Sequence, residues 1–295
     1  MASAHRVDCM HFGSRILDLS LPHVMGILNV TPDSFSDGGE LLEAGRPILD
    51  RIIDRAAGMV AAGASFLDIG GESTRPGAPE VAGAEELARV IPVVSALSAR
   101  FDVVISVDTS RPEVMSEAVL AGAGLINDVR ALTKPGAAAA AAATGVAVCL
   151  MHMQGQPATM QAAPQYQAVV EEVRDFLRAR IAVCLAAGIP FDRLLVDPGF
   201  GFGKTLEHNL QLLAGLAELQ VLDVPLLIGL SRKRMLGAIT GKPERERVAA
   251  GVAAAVLAME YGARIIRTHD VPETVDAARV CRAIMQTKKA TGRRP

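Results

Sequence analysis

Val103-Val104-Ile105-Ser106-Val107-Asp108-Thr109 is a short apolar run, rich in β-branched residues, that ends in an aspartate. It lacks the strict apolar/polar alternation of a half-exposed strand. Such a run reads as a strand covered on both faces, which is the situation of a parallel sheet. The same pattern recurs at residues 25–29, at 66–69 running into Gly70-Gly71-Glu72, at 194–197, at 226–231 leading to Lys233, and at 265–269. A helix-compatible segment follows each. A charged group at a buried strand tip is costly unless it is paired. Several tips of this kind point to one shared polar pocket, and in a closed β/α barrel that pocket is the catalytic face.

The intervals support this reading. Strands are predicted at residues 24–30, 66–70, 103–109, 125–129, 147–153, 194–197, 225–231 and 264–269. Helices are predicted at 46–62, 83–100, from Pro112, from about 135, at 165–187 and at 272–287. Eight units about 35 residues apart fit an α/β fold, a single (β/α)8 TIM barrel. Gly13-Ser14 suits a hairpin turn, so residues 1–22 are expected to form an N-terminal β-ribbon closing one end. Residues 23–290 would be the barrel and 291–295 a basic tail. A doubly wound sheet is the alternative, but Asn29-Val30-Thr31-Pro32-Asp33 is not the glycine-rich turn it wants. Two long loops, 31–45 and 70–83, are rich in glycine and short polar residues, as segments that order around a ligand are.

Composition excludes some classes. The formal net charge of −2 gives no electrostatic case for nucleic acid or an anionic membrane as main partner. Tryptophan is absent and aromatics are 3%, so no stacking platform for single strands is expected. Four cysteines lie far apart and read as reduced, mostly buried thiols of a cytoplasmic protein. The N-terminus lacks a charged start followed by an apolar stretch, and residues 137–153 read as helix, turn and strand rather than a membrane span.

Strand parity sorts the polar residues. Ser106 and Asp108 share a face, as do Arg267 and His269, and Ser231 and Lys233 if their strand continues that far. Asp197 precedes Pro198, which fixes it at a strand end. Asp68 is read first as a structural acid bonded to backbone. Asn127 is expected to point inward and Asp128 to serve as a cap or outer residue. Ser110 is the preferred helix cap, which frees Asp108 for ligand. His152 is expected to be packed and hydrogen-bonded. The stretch Asp197-Pro-Gly-Phe-Gly-Phe-Gly-Lys-Thr205 misses the phosphate-loop template at Pro198 and reads as a flexible loop beside a flat ligand, with no catalytic role for Lys204. Asn29, Asp33 and Asp37 offer hard oxygens, suited to magnesium held chiefly by a substrate diphosphate. Acids with an amide (Asp108, Asn127, Asp197) suit the N–H edge of a heterocycle, and Arg75, Lys233, Arg267 and His269 suit an anionic group.

Seven stretches carry a family resemblance: residues 26–39, 68–77, 106–109, 126–129, 197–204, 231–233 and 267–271. In this order, each at a predicted strand end, they resemble the dihydropteroate synthases of folate biosynthesis. The resemblance implies a (β/α)8 barrel that joins 6-hydroxymethyl-7,8-dihydropterin diphosphate to p-aminobenzoate, releasing diphosphate and 7,8-dihydropteroate. It implies that Asp108, Asn127, Asp197 and Lys233 hold the pterin, with Arg267 over its face. Asn29, with Mg2+, would meet the diphosphate together with Thr74, Arg75, Arg267 and His269. Phe35, Pro76, Ser231 and Lys233 would form the aminobenzoate site, and Asp37 would lie near the reacting carbon. Asp37, Arg75, Lys233 and Arg267 are thus the catalytic set. A homodimer and the sulfonamide target class are also implied, with Arg234 at the aminobenzoate entrance. Two other readings stay open: a pterin-binding methyltransferase module of the same superfamily, and a non-catalytic pterin-binding paralogue.

Overall fold

A computed structural model describes residues 9–31, 41–43, 45–73, 80–157 and 159–291. Chain order begins with β1 (Cys9–Phe12), β2 (Arg15–Asp18), β3 (His23–Asn29), β4 (Leu42–Glu43) and β5 (Arg46–Pro47), then α1 (Leu49–Ala62), β6 (Phe66–Gly70), α2 (Gly83–Arg100), β7 (Val104–Asp108) and α3 (Pro112–Leu120). It continues with β8 (Leu125–Asp128), α4 (Ala137–Thr144), β9 (Ala147–Met151), α5 (Val169–Ala186), β10 (Leu194–Asp197) and α6 (Leu206–Ala214). β11 (Leu226–Gly229), α7 (Arg234–Thr240), α8 (Val248–Glu260), β12 (Ala263–Thr268) and α9 (Val271–Ala290) complete it.

Eight strands form a closed barrel in the order β10-β11-β12-β3-β6-β7-β8-β9, and β12 pairs β3 to shut it. All eight pairings are parallel. Parity then separates two cores. Residues such as Leu67, Ile69, Ile105, Val107, Val148 and Ile266 face the helices and pack with them. Met25, Phe66, Val104, Leu125, Ala147, Leu195, Leu227 and Ile265 face inward at the start of each strand and pack with Met10, Phe12 and Leu19. The barrel floor is therefore apolar and plugged by the β1–β2 ribbon.

The ribbon pairs antiparallel, and Gly13 at φ +60 makes its two-residue turn. Phe12 meets Phe66 edge-on at 5.0 Å between centroids, seating the plug. Gly124 is required at this junction, because a Cβ there would stand 2.6 Å from the Phe12 carbonyl oxygen.

Some boundaries differ from the sequence reading. The helix expected from 46 starts at Leu49, because Arg46–Pro47 pairs as a short strand with Leu42–Glu43. The helix expected from 165 starts at Val169. β11 stops at Gly229, short of Ser231. Three cysteines are buried thiols and Cys9 is exposed. No helix among the described residues is long and apolar enough to cross a membrane.

Candidate active site

Two residues further along five of the inward rows, at Asp68, Ser106, Asn127, Asp197 and Arg267, apolar side chains give way to polar ones. Asp68 pairs in register with Ser106, Asp108 with Asn127, and Gly229 with Arg267, so these groups ring one mouth. Arg267 binds the ring together. Its Nε donates to Asp68 Oδ2 at 2.5 Å and its Nη2 to Asp108 Oδ2 at 3.0 Å. Asp68 also accepts from Ser106 Oγ at 2.5 Å and from Asn127 Nδ2 at 3.4 Å. The backbone-bonded Asp68 expected from sequence is thus corrected: its partners are side chains, and it anchors the arginine from inside the barrel. Asn127 points inward as expected.

Burial makes these charges expensive and shifts their pKa values. Burial pushes Asp108 up to about 7, although Arg267 pulls it down, and the neighbouring charge of Asp68 adds to the rise. Burial lifts Asp197 to about 6 against the pull of the Gly199 N–H and of Lys233 and Arg267. Burial also works against the Arg267 charge, but Asp68 and Asp108 outweigh it and hold the guanidinium pKa above its usual value. The mouth thus holds two acids that change charge near neutral pH and one permanent cation. Such a set can accept N–H donors from a flat heterocycle while the cation faces its ring or an anion.

Ser231 and Lys233 reach the mouth differently from the expectation. They sit on a turn beyond β11 in which Arg232 adopts φ +59. Arg232 Nη2 meets Asp270 Oδ1 at 2.6 Å, and Arg247 Nη1 donates to the Arg232 carbonyl at 3.0 Å. Ser231 Oγ accepts from the His269 N–H at 3.1 Å and also lies 3.1 Å from His269 Nδ1. The turn is clamped, and Lys233 Nζ rests 4.3 Å from the centroid of the Phe202 ring. Asp270 and Arg247 are supports of this turn that sequence reasoning missed. Asp270 lay within the 267–271 stretch, whereas nothing local marks Arg247.

A second network lies at the base of the 70–83 loop. Glu72 meets Arg130 at 3.6 Å, and Thr109 Oγ1 donates to Glu86 Oε1 at 2.6 Å. Glu86 also pairs with Arg111 at 3.1 Å, and burial raises its pKa. Ser110 does not cap α3, contrary to expectation; it donates to Asp128 instead. Asp128 takes the outer role expected of it, accepting from the Arg130 N–H at 2.8 Å and the Leu132 N–H at 2.7 Å. His152 is packed and bonded, and Lys204 Nζ lies 2.9 Å from its Nδ1. The loop 199–203 is pinned by such bonds rather than loose.

Asn29 stands at the end of β3, and its Oδ1 is 3.7 Å from where a Cβ on Gly70 would lie. The same point is 3.7 Å from Asp108 Cβ, so glycine at 70 keeps the mouth open between the two. No cluster of three or more His, Cys, Asp or Glu that would hold a metal occurs among the described residues. Phe35, Asp37, Thr74, Arg75 and Pro76, with Asp33, lie outside the described residues, as does most of the proposed basic tail.

The model of the family described as pterin binding enzyme matches residues 25–269. A dihydropteroate synthase of Escherichia coli (strain K12) is 56% identical over 276 residues, covering 92% of this chain and 95% of that protein. The crystal structure of the Yersinia pestis dihydropteroate synthase in a sulfonamide drug complex is similar at TM-score 0.90 and 54% identity, covering 94% of this chain and all of that one (100%). The Xanthomonas albilineans dihydropteroate synthase with 4-aminobenzoic acid is similar at TM-score 0.86 and 51% identity, over 94% and 98% of the two chains.

Proposed function

The chain belongs to the dihydropteroate synthases, within the pterin-binding enzyme family, and we propose that the ring around Arg267 is where it holds a dihydropterin for condensation. It acts as a dihydropteroate synthase, a transferase joining 6-hydroxymethyl-7,8-dihydropterin diphosphate to p-aminobenzoate. The observation that carries the site is the ion pairing of Arg267 with both Asp68 and Asp108, beside Asn127 and with Asp197 at the end of β10 in the same barrel.

Asp108, Asn127 and Asp197 take the N–H edge of the pterin, Lys233 its carbonyl side, and Arg267 lies along its face. Thr74, Arg75, Arg267 and His269 receive the diphosphate. The carbon–oxygen bond to diphosphate breaks, and its electron pair leaves with the diphosphate. The electron-rich dihydropterin spreads the resulting positive charge. The amine lone pair of p-aminobenzoate, held by Phe35, Pro76, Ser231 and Lys233, then forms the new C–N bond and the nitrogen sheds a proton. Asp37 offers negative charge beside the reacting carbon. No covalent nucleophile is needed, because fixed charges aimed at the separating ions supply the stabilisation.

Asn29 is the residue that would hold Mg2+. One neutral oxygen at the mouth fits an ion whose remaining ligands are diphosphate oxygens and water. Bound there, the ion supplies neutralisation of the leaving group. A cytoplasmic location is supported by the buried free thiols, which suit a reducing compartment. A homodimer is supported by exposed Leu257 on α8 and exposed Val280 and Ile284 on α9, and sedimentation tests it. The sulfonamide drug complex of the Yersinia pestis relative supports the target class.

The test is direct. Purified protein mixed with the pterin diphosphate, p-aminobenzoate and Mg2+ should yield dihydropteroate and free diphosphate in equal amounts. No product from folded protein would overturn the reading.

A further inference from the structure

Lys204 is a buried cation that the reaction leaves unused. The residue is 3% exposed, and among the described residues no acid lies within ion-pair distance of its Nζ. Its Nζ meets three neutral acceptors instead: the Gly199 carbonyl at 2.9 Å, the Phe202 carbonyl at 3.2 Å and His152 Nδ1 at 2.9 Å. An ammonium carries three donors, and each is used. Burial pulls its pKa down to about 7, with Asp197 opposing and Lys233 adding to the fall. Burial and the Lys204 charge press His152 to about 2, so its ring stays neutral and able to accept.

What Lys204 holds is the wall beside Lys233. Gly199 at φ +69 lies so close to β9 that a Cβ would stand 1.8 Å from the His152 carbonyl oxygen. Gly201 lies against the Lys233 stem, 3.2 Å from its Cδ at the Cβ position. The Phe202 ring lies under Lys233 Nζ. Gln161 donates to the Gly201 carbonyl, Tyr166 to the Gly203 carbonyl, and Asn209 accepts from the Gly201 N–H, at 2.6, 2.8 and 2.8 Å. Those ties fix Gly201 and Gly203, whereas Lys204 holds the Phe202 carbonyl and shares the Gly199 carbonyl with the Phe202 N–H, which donates to it at 3.1 Å. α6 begins at once with a capping box between Thr205 and His208, so the loop is held at both ends.

We propose that Lys204 is a positioning residue for Lys233: by drawing the Gly199 and Phe202 carbonyls onto the His152 side, it sets the aromatic wall on which the Lys233 ammonium rests, and thereby the pterin affinity, without touching ligand. This rests on the reading that Lys233 and Asp197 face the pterin. Phosphate-loop lysines bind anions directly; here the lysine is turned inward and spends its donors on its own chain.

The experiment is a double-mutant cycle on the full chain, read by calorimetric titration with the pterin diphosphate and Mg2+, with circular dichroism to check folding. Lys204→Met should weaken binding about tenfold or more, the order expected when hydrogen bonds to a charged group are lost. Lys204→Met combined with Lys233→Met should bind within about twofold of Lys233→Met alone, because neighbours acting through one another are not additive. Losses that multiply, or wild-type affinity in Lys204→Met, would overturn the proposal. If Lys204→Met does not fold, Lys204→Gln, which keeps two donors, is read by the same cycle. If that also fails to fold, the proposal is overturned, since the lysine then holds the barrel rather than the wall. Asp197→Asn separates the two readings: wild-type affinity there would sink the pterin site itself, whatever Lys204 does.

Discussion

Asp68→Asn is the most searching perturbation of the site, because it removes one charge and almost no volume. Asp68 is wholly buried, and the Arg267 side chain is 20% exposed. Taking one partner from a buried ion pair costs about 3–5 kcal/mol, since the other charge stays behind. Two features place this case at the low end. Asp108 remains 3.0 Å from Arg267 as a counter-charge, and an asparagine oxygen can still accept from Nε. A loss of about 3 kcal/mol is therefore expected, read as a lower midpoint in urea unfolding. A second effect has a definite sign. The Asp68 charge pushes the Asp108 pKa up, so its removal should bring Asp108 below about 7. Carboxyl carbon NMR across the pH range reads that directly. A stability loss under about 1 kcal/mol, with Asp108 titrating as in the wild type, would refute the role given to Asp68 as the anchor of Arg267.

Four further outcomes are expected. Asp197→Asn should abolish pterin binding while circular dichroism stays that of a folded barrel. In the wild type, pterin binding should strengthen as pH rises through about 6, where Asp197 ionises. The sign for stability is opposite: its folded pKa is raised above the ordinary 3.8, so the ligand-free protein should lose that contribution between about 4 and 6. Flat binding across that window would count against Asp197 as an acceptor. Arg75→Ala should lower turnover more than it weakens binding of a pterin alcohol lacking diphosphate; equal losses would remove Arg75 from the diphosphate. Gly199→Ala should unseat the 199–203 loop, because left-handed backbone costs a side chain about 1–2 kcal/mol and the added carbon would collide with the His152 carbonyl. Pterin affinity unchanged in that variant would show that the loop has no part in the site.

Much of the architecture was written locally. Apolar runs such as 103–108 lack alternation, as strands covered on both faces do, and end in charge, and both properties survive folding unchanged. They fixed which residues are strands, which side chains share a wall, and that Asp108, Asn127, Asp197 and Arg267 meet at one mouth. The glycine-marked turn of the N-terminal ribbon was legible for the same reason. Partners were not legible, because pairing depends on which strands close the barrel. Asp68 and Arg267 stand 199 residues apart and touch only because β12 returns to β3. Asp68 therefore read as an isolated acid. The strand read as reaching Ser231, with Lys233 on its wall if it continued, because the departure, an arginine at φ +59, is imposed by Asp270 and Arg247 from other elements. Lys204 read as a loose loop residue because its three acceptors are two carbonyls and an imidazole, which leave no mark in a sequence. Periodicity is a property of neighbours along the chain, whereas the partner of a buried charge is chosen by closure of the whole barrel.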